Sequence, residues 1–151
     1  MGDTAETTIR PLEAEDWTGW RELWTGYLRH YETEVGQDVY ETTFRRLLSG
    51  ADGEFRGLIA LRGGRRVGLA HYLFHRHCWK LENTCYLQDL FTAPDMRGHG
   101  VGRALIRAVY AAADREAAPS VYWLTQDFNT PARRLYDRVG TLTPFIKYVR
   151  P

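Results

Sequence analysis

Apolar side chains recur at three-, four- and seven-residue steps through Trp17, Trp20, Leu23, Trp24, Tyr27, Leu28 and Tyr31, one face of a 3.6-residue period. The spacing predicts an amphipathic helix with Asp16 placed to cap it. A break at Glu32 to Gly36 precedes a second helix. Asp38 with Glu41 three residues on resembles a capping box, Tyr40, Phe44, Leu47 and Leu48 form the buried face, and Gly50 stops it. The period then changes. Phe55 to Leu61 and Val67 to Arg76 are rich in apolar and β-forming residues and meet through Gly63-Gly64, which predicts a hairpin. His77 to Asn83 reads as a loop and Thr84 to Thr92 as the next strand. Val101, Leu105, Ala108, Val109 and Ala112 stripe a third helix that ends near Pro119. Val121 to Thr125 reads as a strand, Thr130 to Val139 as a helix with Pro131 in its first turn, and Pro144 to Val149 as a last strand. Strands and helices in this order predict an α/β fold, a mixed sheet covered by helices on both faces.

At 151 residues, with 44% hydrophobic and 13% aromatic content, the chain fills one core and is too short for two ordinary domains. Residues 1–151 therefore read as a single domain. No run of eighteen apolar residues occurs, the start is acidic and threonine-rich, and Glu6 stands where a myristoylation signal after Gly2 wants Ser or Thr. These features predict a soluble cytoplasmic protein with no membrane partner. Cys78 and Cys85 match neither a redox pair nor a zinc pair in spacing and read as free thiols of a reducing compartment. The net charge of +1 hides an asymmetry. Residues 1–54 hold five arginines against twelve acids, and residues 55–151 hold fifteen basic against seven acidic residues, so the two parts carry −7 and +8. The basic part suits a phosphorylated ligand and the acidic part a cationic one. The small total charge and the lack of a nucleic-acid motif speak against a nucleic-acid partner, in spite of Arg62, Arg65, Arg66, Arg133, Arg134 and Arg138.

The chemistry concentrates at Arg97-Gly98-His99-Gly100-Val101-Gly102, between a predicted strand and a predicted helix. Glycines let the backbone press its amides against a ligand, and a helix start adds unpaired N–H groups and the positive end of a dipole. The spacing is not that of a nucleotide P-loop, because no Lys-Ser/Thr follows, nor of a dinucleotide fingerprint, because Arg103 stands where the last glycine belongs. It is Arg-x-x-Gly-x-Gly, and here the chain resembles the GNAT superfamily of acetyl-CoA-dependent N-acetyltransferases. Tyr86 to Pro94 is similar to that family's central strand and its exit, Asn129 to Tyr136 to its second motif, and Ile9-Arg10-Pro11-Leu12 to its opening strand. With that strand the order becomes β-αα-βββ-α-β-α-β. The segment Tyr86-Leu87-Gln88-Asp89 is most similar to the spermidine/spermine (diamine) branch, in which a glutamate holds the place of Gln88.

The resemblance implies acetyl-CoA as co-substrate without a metal, and a pantetheine arm lying between Thr84 to Thr92 and Val121 to Thr125. Leu90, Phe91, Thr92, Arg97, Gly98, His99, Gly100, Val101, Gly102 and Arg103 would hold it, with Asn129 either a further contact or simply a helix cap. Tyr136 falls where the family keeps a tyrosine that protonates the departing sulfur; its other reading is a core residue beside Leu135. Gln88 cannot take a proton. Strand alternation puts it on the face of Leu90 and Thr92 and turns Asp89 away unless a bulge intervenes. Deprotonation of the acceptor is left to a water, to Asp89, to a histidine such as His75, or to binding of the neutral amine. His71, His75 and His77 share a strand face and its exit and read as pocket or surface residues rather than a metal site. Tyr27, Tyr31, Glu32, Glu34 and Trp79 would line the acceptor pocket through aromatic and carboxylate contacts with a cation. The acceptor would be a small primary amine such as a polyamine or an amino acid. Protein lysine or N-terminal amines are the alternative, and a non-catalytic acyl-CoA sensor is the reading from another class. Neither cysteine lies on a motif position, so transfer would be direct. The family resemblance, with the aromatic first helix, implies a homodimer.

Overall fold

A computed structural model of the chain describes residues 5–151; Gly2 lies outside the described residues. Helix α1 (Trp17–His30) buries Trp20, Leu23, Trp24 and Leu28, and α2 (Gln37–Ser49) buries Tyr40, Phe44 and Leu47, as the apolar period requires. Trp20 stacks between Trp17 and Trp24 at 5.7 and 5.2 Å, with Phe44 at 4.9 Å. This aromatic layer closes over Ile59, Leu69 and Phe91 on one face of the sheet. Full burial of one such side chain stabilises by about 2–3 kcal/mol, so the layer anchors both helices.

The sheet runs β1 (Thr8–Pro11), β2 (Arg56–Arg62), β3 (Arg65–His75), β4 (Thr84–Thr92) and β5 (Val121–Tyr122), in that spatial order. The first four are antiparallel neighbours and β5 joins β4 in parallel. Gly63 and Gly64 turn the β2–β3 hairpin with φ of 55° and 77°, the left-handed pair that a tight turn demands. Helix α3 (Val101–Arg115) covers the opposite face, packing Val101, Leu105, Ile106 and Val109 on Ala60, Ala70 and Leu87. Helix α4 (Thr130–Val139) leans on it through Leu135 and Tyr136. The mixed sheet with helices on both faces is the expected α/β arrangement.

Four local expectations are corrected. Asp16 stands at the start of α1, yet its side chain makes no cap of that helix. It is wholly buried and holds Arg10 at 2.7 and 2.8 Å, Arg66 at 2.7 Å and the backbone N–H of Glu13 at 2.8 Å. Burial alone would raise its pKa, but those donors hold it at about 2. A carboxylate between two guanidiniums gains more there than from one exposed amide. Second, α2 begins from Gly36, and Asp38 accepts only from the adjacent Val39 N–H, so the Asp38/Glu41 capping box does not form. Third, the strand expected over Val121 to Thr125 shortens to two residues.

Fourth, Pro144 to Val149 forms no strand, although its composition suits one. A strand is completed by its neighbour. The outer edge of β5 is only two residues long and carries no further strand among the described residues, and the C-terminal segment stays irregular and exposed.

Candidate active site

Strand β4 carries the centre of the site, and a bulge decides which side chains face where. His71 pairs with Asp89 and Tyr72 with Leu87, which leaves Gln88 as the extra, unpaired residue. Alternation therefore ends at Gln88. Leu87 and Leu90 both pack toward α3, while Asp89 and Phe91 face α1. The expectation that Gln88 follows strict alternation with Asp89 turned away is corrected by this bulge, and Gln88 is exposed.

Asp89 is only 7% exposed and sits in a chain of donors. The Trp20 indole N–H donates to His71 Nε2 at 2.8 Å, so the other ring nitrogen, Nδ1, carries the proton that reaches Asp89 Oδ2 at 2.8 Å. Burial pushes the Asp89 carboxyl up, but the hydrogen bond from His71, with Tyr27 and Trp24 beside it, holds it below the usual carboxylate range. Asp89 is thus a fixed negative charge at neutral pH and a weak proton acceptor. Burial first, and then Asp89, raises the phenols of Tyr27, Tyr31 and Tyr86 above their ordinary value. The Tyr27 and Tyr31 rings meet at 5.1 Å, and Tyr86 stacks on Tyr122 at 4.8 Å.

Tyr136, on α4, enters the same neighbourhood. Burial pushes its phenol up to about 12, with Tyr31 the next cause, and Trp123 packs edge-on at 5.5 Å. Tyr31 therefore lies within electrostatic reach of both Asp89 and Tyr136. A phenol so placed is protonated across the neutral range and can donate. Strand β5 holds β4 only at Cys85↔Val121 and Tyr86↔Tyr122, and beyond those pairs the two chains part. The split leaves the β5-facing side of Leu87 to Thr92, including Leu90, Phe91 and Thr92, without a strand partner.

Below the split, Gly98 and Gly100 take φ of 84° and 78°, and a Cβ built on either would meet no atom within 4 Å. That open, left-handed backbone is space for a ligand. Ala104 N–H is bonded to the Gly100 carbonyl at 3.0 Å, and helix geometry leaves the earlier amides of Val101, Gly102 and Arg103 directed outward. The guanidinium of Arg97 lies 5.6 Å from the Phe91 ring, and His99 and Arg103 are exposed beside it. Gly102 has a second reason to be glycine: its Cβ would come 3.2 Å from Leu135, so it lets α4 close on α3 and sets Tyr136 next to the loop. These residues fit a phosphorylated acyl carrier. Asn129 caps α4, its side-chain oxygen accepting from Ala132 N–H at 3.4 Å.

The expected acceptor residues are not all gathered. Tyr27 and Tyr31 join Asp89, whereas Glu32 and Glu34 line a separate hollow of about 540 Å³ with Arg21, Arg29 and Gln37. Trp79 is 88% exposed and packs edge-on to His77 instead. His75 accepts from or donates to Tyr122 Oη at 2.8 Å and lies 2.8 Å from the Arg76 carbonyl through its other nitrogen. Among the described residues no three His, Cys, Asp or Glu side chains converge as metal ligands. Sequence reasoning missed Trp20 and Tyr86 as parts of the site, and took His71 only as a pocket or surface residue. Trp20 was hidden in a helix stripe and His71 in an apolar strand, where a polar group without a visible partner was the available signal.

An open glycine loop at a helix start, a sheet that splits beside it and a half-buried phenol facing the same neighbourhood form an arrangement suited to acyl transfer. The chain belongs to the acetyltransferase (GNAT) family, whose sequence profile matches residues 17–141, and it is an N-acetyltransferase that draws its acetyl group from acetyl-CoA. It is similar to the D-amino-acid N-acetyltransferase HPA3 of Saccharomyces cerevisiae, at 35% identity over 94% of this chain and 89% of that one. A thialysine N-epsilon-acetyltransferase of Bos taurus matches at 32% over 49% of this chain and 43% of its own. In fold it is similar to the aminoglycoside acetyltransferase AAC(6')-Iy, solved with a CoA-linked bisubstrate analogue, with a TM-score of 0.83 at 19% identity over 97% and 98% of the two chains.

Proposed function

We propose that the chain acetylates the primary amine of a small metabolite, with an amino acid as acceptor in preference to a polyamine such as spermidine. The observation that carries this reading is the gathering of Tyr27, Tyr31 and Tyr86 around the single fixed charge of Asp89. One buried carboxylate suits one ammonium group. A polyamine needs a second acidic contact at a distance, and Glu32 and Glu34 face another hollow. Similarity to a D-amino-acid acetyltransferase over nearly the whole chain supports the same choice, while the thialysine enzyme and the diamine-like Tyr86 to Asp89 segment match only part of it.

Acetyl-CoA supplies a thioester. Leu90 and Thr92 would hold the acyl and pantetheine portion by their backbone, and the loop from Arg97 to Arg103 the phosphates. Gln88 cannot accept a proton and Asp89 is held ionised by His71, so the amine loses its proton to water and reacts as the neutral form. Asp89 then acts as the electrostatic anchor that brings the cation in. A C–N bond forms as the C–S bond breaks, Tyr136 Oη gives its proton to the departing sulfur, and the new amide nitrogen sheds its extra proton to solvent, from which Tyr136 regains one. Residues 1–151 act as one domain in this reading. The unpaired thiols Cys78 and Cys85 fit a cytoplasmic setting, and the exposed apolar C-terminal segment supports a homodimer.

The test is release of coenzyme A thiol with acetyl-CoA and separate pools of D- and L-amino acids, polyamines, aminoglycosides and lysine peptides, with products read by mass spectrometry. Turnover with amino acids above that with polyamines is expected. Preference for polyamines or peptides, or silence in every pool, overturns the acceptor assignment.

A further inference from the structure

We propose that Tyr110, on α3, is a positioning residue for Tyr136: by holding the last carbonyl of α4 it sets where the phenol at the split sheet points. The inference rests on Tyr136 as the proton donor proposed above and adds what aims it. Its first support is how little else fixes α4. The helix buries none of its ten residues fully and leans on the core through Leu135, Tyr136 and Val139. Among the described residues the Tyr136 hydroxyl has no hydrogen-bond partner, so its direction follows the placement of the helix.

The second support is the bond that does fix it. Tyr110 Oη donates to the Val139 carbonyl at 2.7 Å, across 29 residues of sequence. Val139 ends α4, so that carbonyl is one of the last four that a helix leaves without a partner of its own. It stands one turn beyond Tyr136, about 4.5 Å along the axis. The donor belongs to a firmly held helix, since α3 buries Val101, Leu105, Ile106 and Val109 to 1% exposure or less. Tyr110 also reaches Tyr136 by packing. Its ring lies 6.3 Å from that of Trp123, which meets Tyr136 edge-on at 5.5 Å, and a Cβ on Gly140 would come within 2.9 Å of Trp123. Anchor, indole and phenol therefore move together. A displacement of about 1 Å at a reacting group costs up to about 100-fold in rate, so one hydrogen bond at the helix end is enough to matter.

Tyr110→Phe removes the hydroxyl and keeps the ring on Trp123. Coenzyme A thiol release with acetyl-CoA and the most active acceptor pool should give a kcat lowered roughly tenfold, with the acceptor KM and the calorimetric acetyl-CoA affinity within about twofold of wild type. In a Tyr136→Phe background the same change should have no further effect, because a residue that acts through the phenol has nothing left to aim. Gly140→Ala, at a φ of −145° that accepts a side chain, serves as the second variant: its Cβ presses on Trp123 and should show the same loss and the same dependence on Tyr136. Unaltered kcat in Tyr110→Phe, a matching loss of acceptor or acetyl-CoA affinity, or losses that multiply in the double variant would each overturn the inference and leave Tyr136 standing as donor. Turnover unchanged in Tyr136→Phe, or absent from the wild-type chain, removes the donor and the inference with it.

Discussion

The two ligand-facing regions of this enzyme are made of different material. The proposed donor loop, Arg97 to Arg103, is largely exposed, and two left-handed glycines and a helix start turn its backbone amides outward. The proposed acceptor wall is largely buried and is made of side chains drawn from four elements: Trp20 and Tyr27 from α1, His71 from β3, Asp89 and Tyr86 from β4, and Tyr136 from α4. A backbone site needs only the right residues at fixed spacing. A side-chain site needs the fold to carry distant residues together, and it inherits the stability of everything that positions it.

That contrast can be broken most forcefully at Asp16, which ties β1, β3 and the start of α1 on the acceptor side. Replacing it by Ala leaves Arg10 and Arg66 without their shared partner and should cost about 3 kcal/mol in denaturant unfolding, with acetyl-CoA affinity unchanged wherever the variant is folded. The same residue sets an acid limit. Because its folded pKa is depressed to about 2 from 3.8, the stability it contributes is complete above pH 4 and is lost as pH falls toward 2. Thermal melts of wild type should show that loss, and the Asp16→Ala variant should show less of it.

Next in size, Tyr136→Phe should lower kcat by about 100-fold with acetyl-CoA affinity intact, read by steady-state kinetics and calorimetry. Unaltered turnover would remove Tyr136 as the proton donor. Asp89→Asn should raise the acceptor KM by roughly tenfold, about 1.4 kcal/mol, with little effect on the donor. A matched loss of donor affinity would mean that the two regions are not separable. Smallest is Gly100→Ala, whose strained φ costs about 1–2 kcal/mol and should weaken acetyl-CoA binding several-fold without moving the acceptor KM. With no protein base in the path, kcat/KM should rise with pH until the acceptor amine is itself deprotonated; a plateau near neutral pH would point to a titrating side chain instead.

Much of the scaffold is legible in the sequence. The α1 and α2 stripes, the Gly63-Gly64 hairpin and the helix following Gly100 each rest on interactions within a few residues, and each stands where its pattern placed it. The errors share one cause. Asp16 looked like a helix cap because its partners Arg10 and Arg66 lie on other elements. For Asp89 the alternation left two orientations, away or inward through a bulge, and the single extra residue at Gln88 that decides it carries no local signal. Glu32 and Glu34 were grouped with Tyr31 by nearness in sequence, but the turn after α1 sends them to another surface.

The sequence by itself determined the fold class, the glycine turn before α3 and the family, because amphipathic period and glycine spacing are local properties read directly along the chain. Only the tertiary structure decided the acceptor wall, the ionised state of Asp89 and the unpaired condition of the C-terminal segment. Each of these depends on which distant groups come within a few ångströms, and on how much water is excluded when they do.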